Sequence, residues 1–364
     1  MKVVYFTHSL RSCWNHGNAH FLRGLLRELA LRGHTVVALE REGAWSAQNL
    51  AADHGAGALD DWRESYPELE AATYGPDLPD ADDVARLTDG ADAVLVHEWT
   101  EPALVAALGG LRKRGARFAL LFHDTHHRVV SDPDGIFGFD LDGYDGVLAF
   151  GRTVAEAYAA RGWGDRAFVW HEAADARLFR PPEAETRREG VVFVGNWGDG
   201  ERTAELERFL FAPAAAAGLP LDVYGVRYRG WLANRRAPEV FARHLATVHV
   251  PRRFYAEVLA GVPTIRVFEA LACGIPLVSA PWDDAEGLFR PGSDYLVVED
   301  GAAATRALRD LAADPALRAS LAASGLETIL ARHTCAHRAD ELLAVLDRLS
   351  AVPPGDANRL META

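Results

Sequence analysis

Residues 262–282, VPTIRVFEALACGIPLVSAPW, set a single carboxylate where a short helix should meet an apolar strand. Pro263 halts the segment before it. Val267, Ala270 and Leu271 then fall at helical spacing, with Phe268 beside them. Cys273-Gly274 closes the helix, since glycine accepts the left-handed turn that helix ends use. Ile275 to Ser279 follows as a buried strand. Glu269 is therefore expected in the opening turns of a helix that faces the end of a parallel sheet. The free N–H groups and partial positive charge of a helix start suit a phosphate. Thr264 and Ile265 would offer those N–H groups, and Arg266 a cation. A carboxylate beside them can accept hydrogen bonds from a vicinal diol, such as the hydroxyls of a ribose. The plainer reading of such a Glu is a partner for the helix dipole.

Other polar residues gather at strand ends. Phe122-His123-Asp124-Thr125-His126-His127 follows an apolar strand. A histidine with an adjacent aspartate can move a proton. The same residues include His123, Asp124, His126 and His127 as conceivable metal ligands, or a loop histidine with a structural hydrogen bond. His97-Glu98-Trp99 occupies the equivalent place one unit earlier, either as an acceptor-side wall or as ordinary loop. In the loop Ser12–Asn18, Gly17 would let the backbone approach a ligand, or simply turn the chain, with His16 beside it. Gly195 and Asn196 open the turn 195–202, whose glycines free backbone N–H groups and whose Arg202 could neutralise a diphosphate. Arg252 and Arg253 are further cations, though surface arginines are commonly just solvated. Within His171-Glu172-Ala173-Ala174-Asp175, Asp175 reads as a turn or capping residue.

Strands alternate with helices to position these groups. Val3–Thr7, Thr35–Leu39, Ala93–His97, Arg117–Phe122, Gly146–Phe150 and Ala167–Trp170 read as strands. So do Val191–Val194, Leu221–Tyr224, Ala246–Val250, Leu277–Ser279 and Tyr295–Val298. Helices are expected over His20–Arg32, near Thr153–Arg161, from about Glu201, and over Ala302–Ala312, Ala316–Ala331 and Cys335–Leu349. Such alternation means parallel sheets covered on both faces. The segment FRPPEAETRREG, 179–190, reads as a linker. The expected units are residues 1–182, residues 190–333, and a last helix and tail, 334–364, that could pack back on the first unit.

The chain has 364 residues, enough for two domains of ordinary size. Its hydrophobic share of 49% is that of a globular protein. The net charge of −14 repels polyanions and argues against a nucleic-acid partner. Three cysteines without metal or redox spacing fit a reducing cytoplasm. The start, MKVVYFTHSLRS, is too short an apolar run for a signal peptide, and no stretch approaches membrane-spanning length.

The segment around Glu269 resembles the donor-binding F-E-A-x-A-C-G-x-P motif of GT-B glycosyltransferases, especially CgeB-like and family-four enzymes. HFLRGLLRELALRGHTVVAL looks like their first strand–helix–strand unit. The resemblance implies an α/β chain of two Rossmann-like, doubly wound domains facing across a cleft. It implies sugar transfer, of the hexosyltransferase class, from a nucleotide-diphosphate sugar to a small-molecule, glycan or peptide acceptor. The donor would be held mainly by the carboxy-terminal half, through Gly195, Asn196, Arg202, Arg253, Thr264, Ile265, Arg266 and Glu269, with Gly17 added from the amino-terminal half. His123 would lie near the transferred sugar with Asp124 beside it, and His16, His97 and Glu98 would face the acceptor. No metal or other cofactor is implied, because helix ends and arginines supply the positive potential. Many retaining relatives carry a second glutamate eight residues earlier, where this chain has Gly261; retention is implied by likeness alone. A nucleotide-sugar epimerase of the same shape, or a two-lobed binding protein, would share the outline.

Overall fold

The computed structural model describes residues 1–75, 77, 79–183, 187–196, 199–225 and 228–351, without the Asp199 side chain. Trp197 and Gly198 of the glycine-rich turn, and most of the tail, lie outside the described residues. Seven strands form the first sheet: β1 (Lys2–Thr7), β2 (Thr35–Arg41), β3 (Ala71–Tyr74), β4 (Ala93–His97), β5 (Ala119–Asp124), β6 (Gly146–Ala149) and β7 (Ala167–Val169). They lie parallel in the order β3-β2-β1-β4-β5-β6-β7. Five more form the second: β8 (Val191–Val194), β9 (Leu221–Tyr224), β10 (Ala246–His249), β11 (Leu277–Ser279) and β12 (Leu296–Val297). These are also parallel, in the order β12-β11-β10-β8-β9. Strands buried on both faces need apolar residues without alternation, and Val3–Phe6 and Val94–Val96 supply them.

The pleat still sorts neighbours. Tyr5, Leu95 and Leu121 pack with the first helix, Ala19–Leu31, on one face. Val4, Phe6, Val94, Val96, Leu120 and Phe122 pack on the other. The edge strand β3 and the helix Trp45–His54 carry too weak an apolar pattern to be expected from sequence. The segment read as a linker begins with a core residue: Phe179 is fully buried and lies 4.3 Å, ring to ring, from His20.

The last helix, Cys335–Ser350, starts with a reciprocal cap between Thr334 and His337. It lies on the first helix rather than on the second sheet. Cys335 N donates to Ala174 O at 2.9 Å, and the Trp170 indole donates to Arg338 O at 3.0 Å. Ala339 and Leu342 have no exposed surface. Truncating a buried leucine costs about 2–5 kcal/mol. Leu342→Ala should lower the urea midpoint by that amount, with both sheets losing structure together. A shift equivalent to under about 0.5 kcal/mol would show the helix to be peripheral to the cooperative core.

Candidate active site

Open parallel sheets take ligands at the carboxyl ends of their strands, where the strand order reverses. In the first sheet that point lies between β1 and β4, in the second between β8 and β10. Both open onto one cleft of about 680 Å³. Contacts across its ends join the two halves. Trp231 Nε1 donates to Cys13 O at 3.1 Å, and Thr153 Oγ1 donates to Ala260 O at 2.7 Å. Asn15, at a left-handed φ of 47°, accepts a hydrogen bond from the Asn196 amide. Gly17 passes so close to the helix Ile265–Ala272 that a Cβ there would stand 3.2 Å from Ile265 Cγ2.

The second domain contributes a cationic wall. Gly195, Asn196, Arg202, Arg252, Thr264, Ile265 and Arg266 line it. Thr264 opens the helix in extended conformation, and His249 fixes it in place. The His249 ring touches Ser279 Oγ through Nδ1 and Thr264 Oγ1 through Nε2, each at 2.9 Å. Arg202 donates to Asn196 O at 2.8 Å and Val250 O at 3.2 Å. The first domain contributes an uncharged wall of His8, His16, His97, Thr125 and His126, with Trp14, Trp45 and Trp99 at its rim. Burial, then neighbouring rings, hold His16 and His97 well below the ordinary histidine value. Burial likewise brings His126 down to about 3. Glu172, three residues past β7, borders the floor between the walls. Trp45 and Trp231 had no part in the sequence-based site, and Trp14 and Trp99 entered it only as members of their loops, because single aromatics in loops carry no spacing signal.

Five expected site residues do not face the cleft. His123 is buried behind His97, its Nδ1 against the Tyr5 hydroxyl and its ring 4.8 Å from that of Trp170. Asp124 cannot stand beside it, because adjacent strand residues point to opposite faces. Its Oδ2 accepts from the Tyr158 hydroxyl at 2.9 Å, in the other core layer. Glu98 turns the same way and takes hydrogen bonds from Thr125 N and Oγ1 at 2.8 and 3.0 Å. Burial raises both Glu98 and Asp124 above the usual carboxylate range. Arg253 points outward to Glu205 at 2.9 Å, and Arg252 takes the cleft-facing place. Glu269 is fully buried, with one oxygen on Arg266 and the other 3.0 Å from His20 Nδ1 without hydrogen-bond alignment. It reaches the cleft only through Arg266. His127 packs on Phe254 and His126 beside Trp99. Among the described residues no three His, Cys, Asp or Glu side chains converge as a metal site.

The two-sheet architecture matches solved structures along almost its whole length. Sucrose-phosphate synthase from Thermosynechococcus elongatus superposes with a TM-score of 0.65 at 16% identity, covering 96% of this chain and 99% of that one. HepE from Anabaena, in complex with UDP and glucose, gives 0.63 at 12% identity, covering 96% and 100%. T4 phage BGT in complex with its UDP-glucose substrate gives 0.60 at 13%, covering 95% and 100%. The fold is GT-B. The sequence profile of the glycosyl transferase-like family matches residues 202–344, most of the GT-B domain that carries the cationic wall. No curated protein matches the chain in sequence. None of the helices among the described residues is long and apolar enough to cross a membrane.

The buried histidines in and around this GT-B cleft have a consequence for stability. Burial holds His16, His97, His123, His126 and His249 below their usual value of 6.5. Below that value the unfolded chain takes up protons that the folded chain refuses. Stability is therefore level above it and falls as pH drops, by up to about 1.4 kcal/mol per ring per unit. Glu98, Glu172 and Asp124, raised by burial, work in the opposite sense, but the lowered rings outnumber them. The urea midpoint should fall between pH 7.5 and pH 6. An equal or higher midpoint at pH 6 would show that the rings charge in place.

Proposed function

We propose that the chain is a glycosyltransferase that moves a sugar, of the hexose class, from a nucleoside diphosphate to a hydroxyl or amine. The observation that carries this reading is the asymmetry of the cleft. One wall joins a helix start to Arg202, Arg252 and Arg266, and the opposite wall has neutral histidines and tryptophans. A leaving diphosphate develops charge that the first wall can stabilise. An uncharged acceptor can approach along the second. The glycosyl transferase-like profile over residues 202–344 supports placing the donor on the cationic side. UDP-glucose, present with T4 phage BGT, is the first donor to try.

In this reading Arg266 meets the diphosphate, and Glu269 holds Arg266 in place rather than the ribose. His97 and His16, not His123, present rings to the acceptor. The retention implied by family likeness would need a carboxyl other than one at residue 261. Gly261 has a left-handed φ of 77°, and a Cβ there would stand 2.7 Å from Glu286 Cγ. An isomerase of the same outline would have no use for an acceptor wall, so transfer is favoured.

A thermal-shift panel of UDP, GDP, TDP, ADP and their sugars tests the assignment, because a ligand specific to the folded state raises its melting point. One nucleotide family should stabilise the chain. Arg266→Ala should weaken that nucleotide by about 1.5–3 kcal/mol, the usual scale for a charged hydrogen bond. No shift with any member of the panel would sink the proposal.

A further inference from the structure

Glu172 has the least explained side chain in the cleft. It is 2% exposed, yet it borders the cleft floor. It makes no hydrogen bond or ion pair with any described residue, and its Oε1 is sealed without a partner. That leaves Oε2 as the atom open to the cleft. Buried polar groups are almost always satisfied, so an orphaned carboxyl at the bottom of a ligand cleft asks for its partner to be found. The charged groups around it are Glu269 and Glu98, opposed by Arg266. Tyr5 and Tyr255 also feel its charge, which places it beneath both walls.

We propose that the Glu172 carboxyl hydrogen-bonds a hydroxyl of the sugar that enters the cleft on a nucleoside diphosphate. The assignment rests on the transferase reading above and adds the residue that recognises the sugar. A diphosphate seated at Thr264–Arg266 would project its sugar away from the second sheet, over the carboxyl end of β7, where Glu172 sits. The electrostatics agree. Burial, then Glu269, raises Glu172 well above the usual carboxylate range despite Arg266. In its protonated form, which burial favours, the carboxyl does not repel a diphosphate. It also both donates and accepts a hydrogen bond, which matches the two-way chemistry of a sugar hydroxyl. A nucleobase or ribose at the far side of the cationic wall would not reach it, so its effect should depend on the sugar.

Calorimetric titration of the full chain with a nucleoside diphosphate and its sugar ester reads this directly. UDP with UDP-glucose is the first pair, then GDP with GDP-mannose and ADP with ADP-glucose. Wild type should bind the sugar ester more tightly than the bare nucleotide. E172A should lose about tenfold in affinity for the ester, about 1.4 kcal/mol, with the bare nucleotide unchanged. E172Q, whose amide also donates and accepts, should stay within about threefold of wild type, and its melting point should equal or exceed wild type. Equal weakening of ester and nucleotide in E172A, or no weakening of either, overturns the assignment. So does a wild type that gains nothing from the sugar, although the nucleotide site would stand. Failure of every pair to bind wild type overturns the transferase reading itself.

Discussion

A carboxylate with no exposed surface sits where the two halves of the molecule meet. Glu269 belongs to the helix that starts the cationic wall, while His20, 3.0 Å from it, belongs to the first helix of the other domain. Burial alone would raise Glu269, but Arg266 and then His20 hold it below the usual carboxylate range. The charge is thus kept in a place where charge is otherwise costly. Its geometry has a consequence for the cleft. It pulls Arg266, 29% exposed at the side chain, into a fixed pose on the cleft surface. The helix start also lies close against Gly17, so that the cationic wall and the loop after β1 approach as one surface. A side chain read from sequence as a ligand contact serves here as the anchor of a cleft-lining arginine.

The cleft keeps its two walls electrically distinct inside a chain of strongly negative net charge. Packing the histidines against one another and against Trp99 leaves little water to support a proton on any ring. A positive charge on that wall would compete for a diphosphate. With the rings neutral, the proposed anion would have one place to go. The same water-poor environment raises Glu172 well above the usual carboxylate range, which works against negative charge on the floor. Positive potential is therefore confined to the side where a leaving group would develop its charge.

Much of the architecture was legible because long apolar runs flanked by helical stripes have few alternatives. β4, β8, β9 and β11 were placed to the residue, and β1 to within one. β3 was missed because AATY is short, lies at an edge, and is stabilised only by its ladder with β2. The site was legible at the level of segments and not of side chains. Gly195, Asn196, Arg202, Thr264, Ile265 and Arg266 do line the cleft, as do His16, Gly17 and His97. His123 and Asp124 were paired because they are adjacent, and adjacency in a strand is what separates them. Arg252 and Arg253 were indistinguishable in sequence, since the turn at Phe254 and the position of Glu205 decide which one faces inward.

The positions of His123 and Asp124 share one physical origin. A residue still inside a strand is committed by the pleat to one core layer or the other, and only the layer facing the cleft can serve it. Asp124 is the last residue of β5, paired with Ala149 of β6. It is therefore held where Tyr158 is, whatever its chemistry. Chain beyond the ladder is free of that commitment and can turn over the sheet's end. Thr125 and His126 follow β5, Trp99 follows β4, Gly195 and Asn196 follow β8, and Arg252 and Glu172 lie three residues past β10 and β7. In a doubly wound sheet the chemical groups should thus be sought one to three residues after the apolar run ends. By that rule Glu172 stands out from its sequence neighbourhood, being the only carboxylate among the described residues that line the cleft.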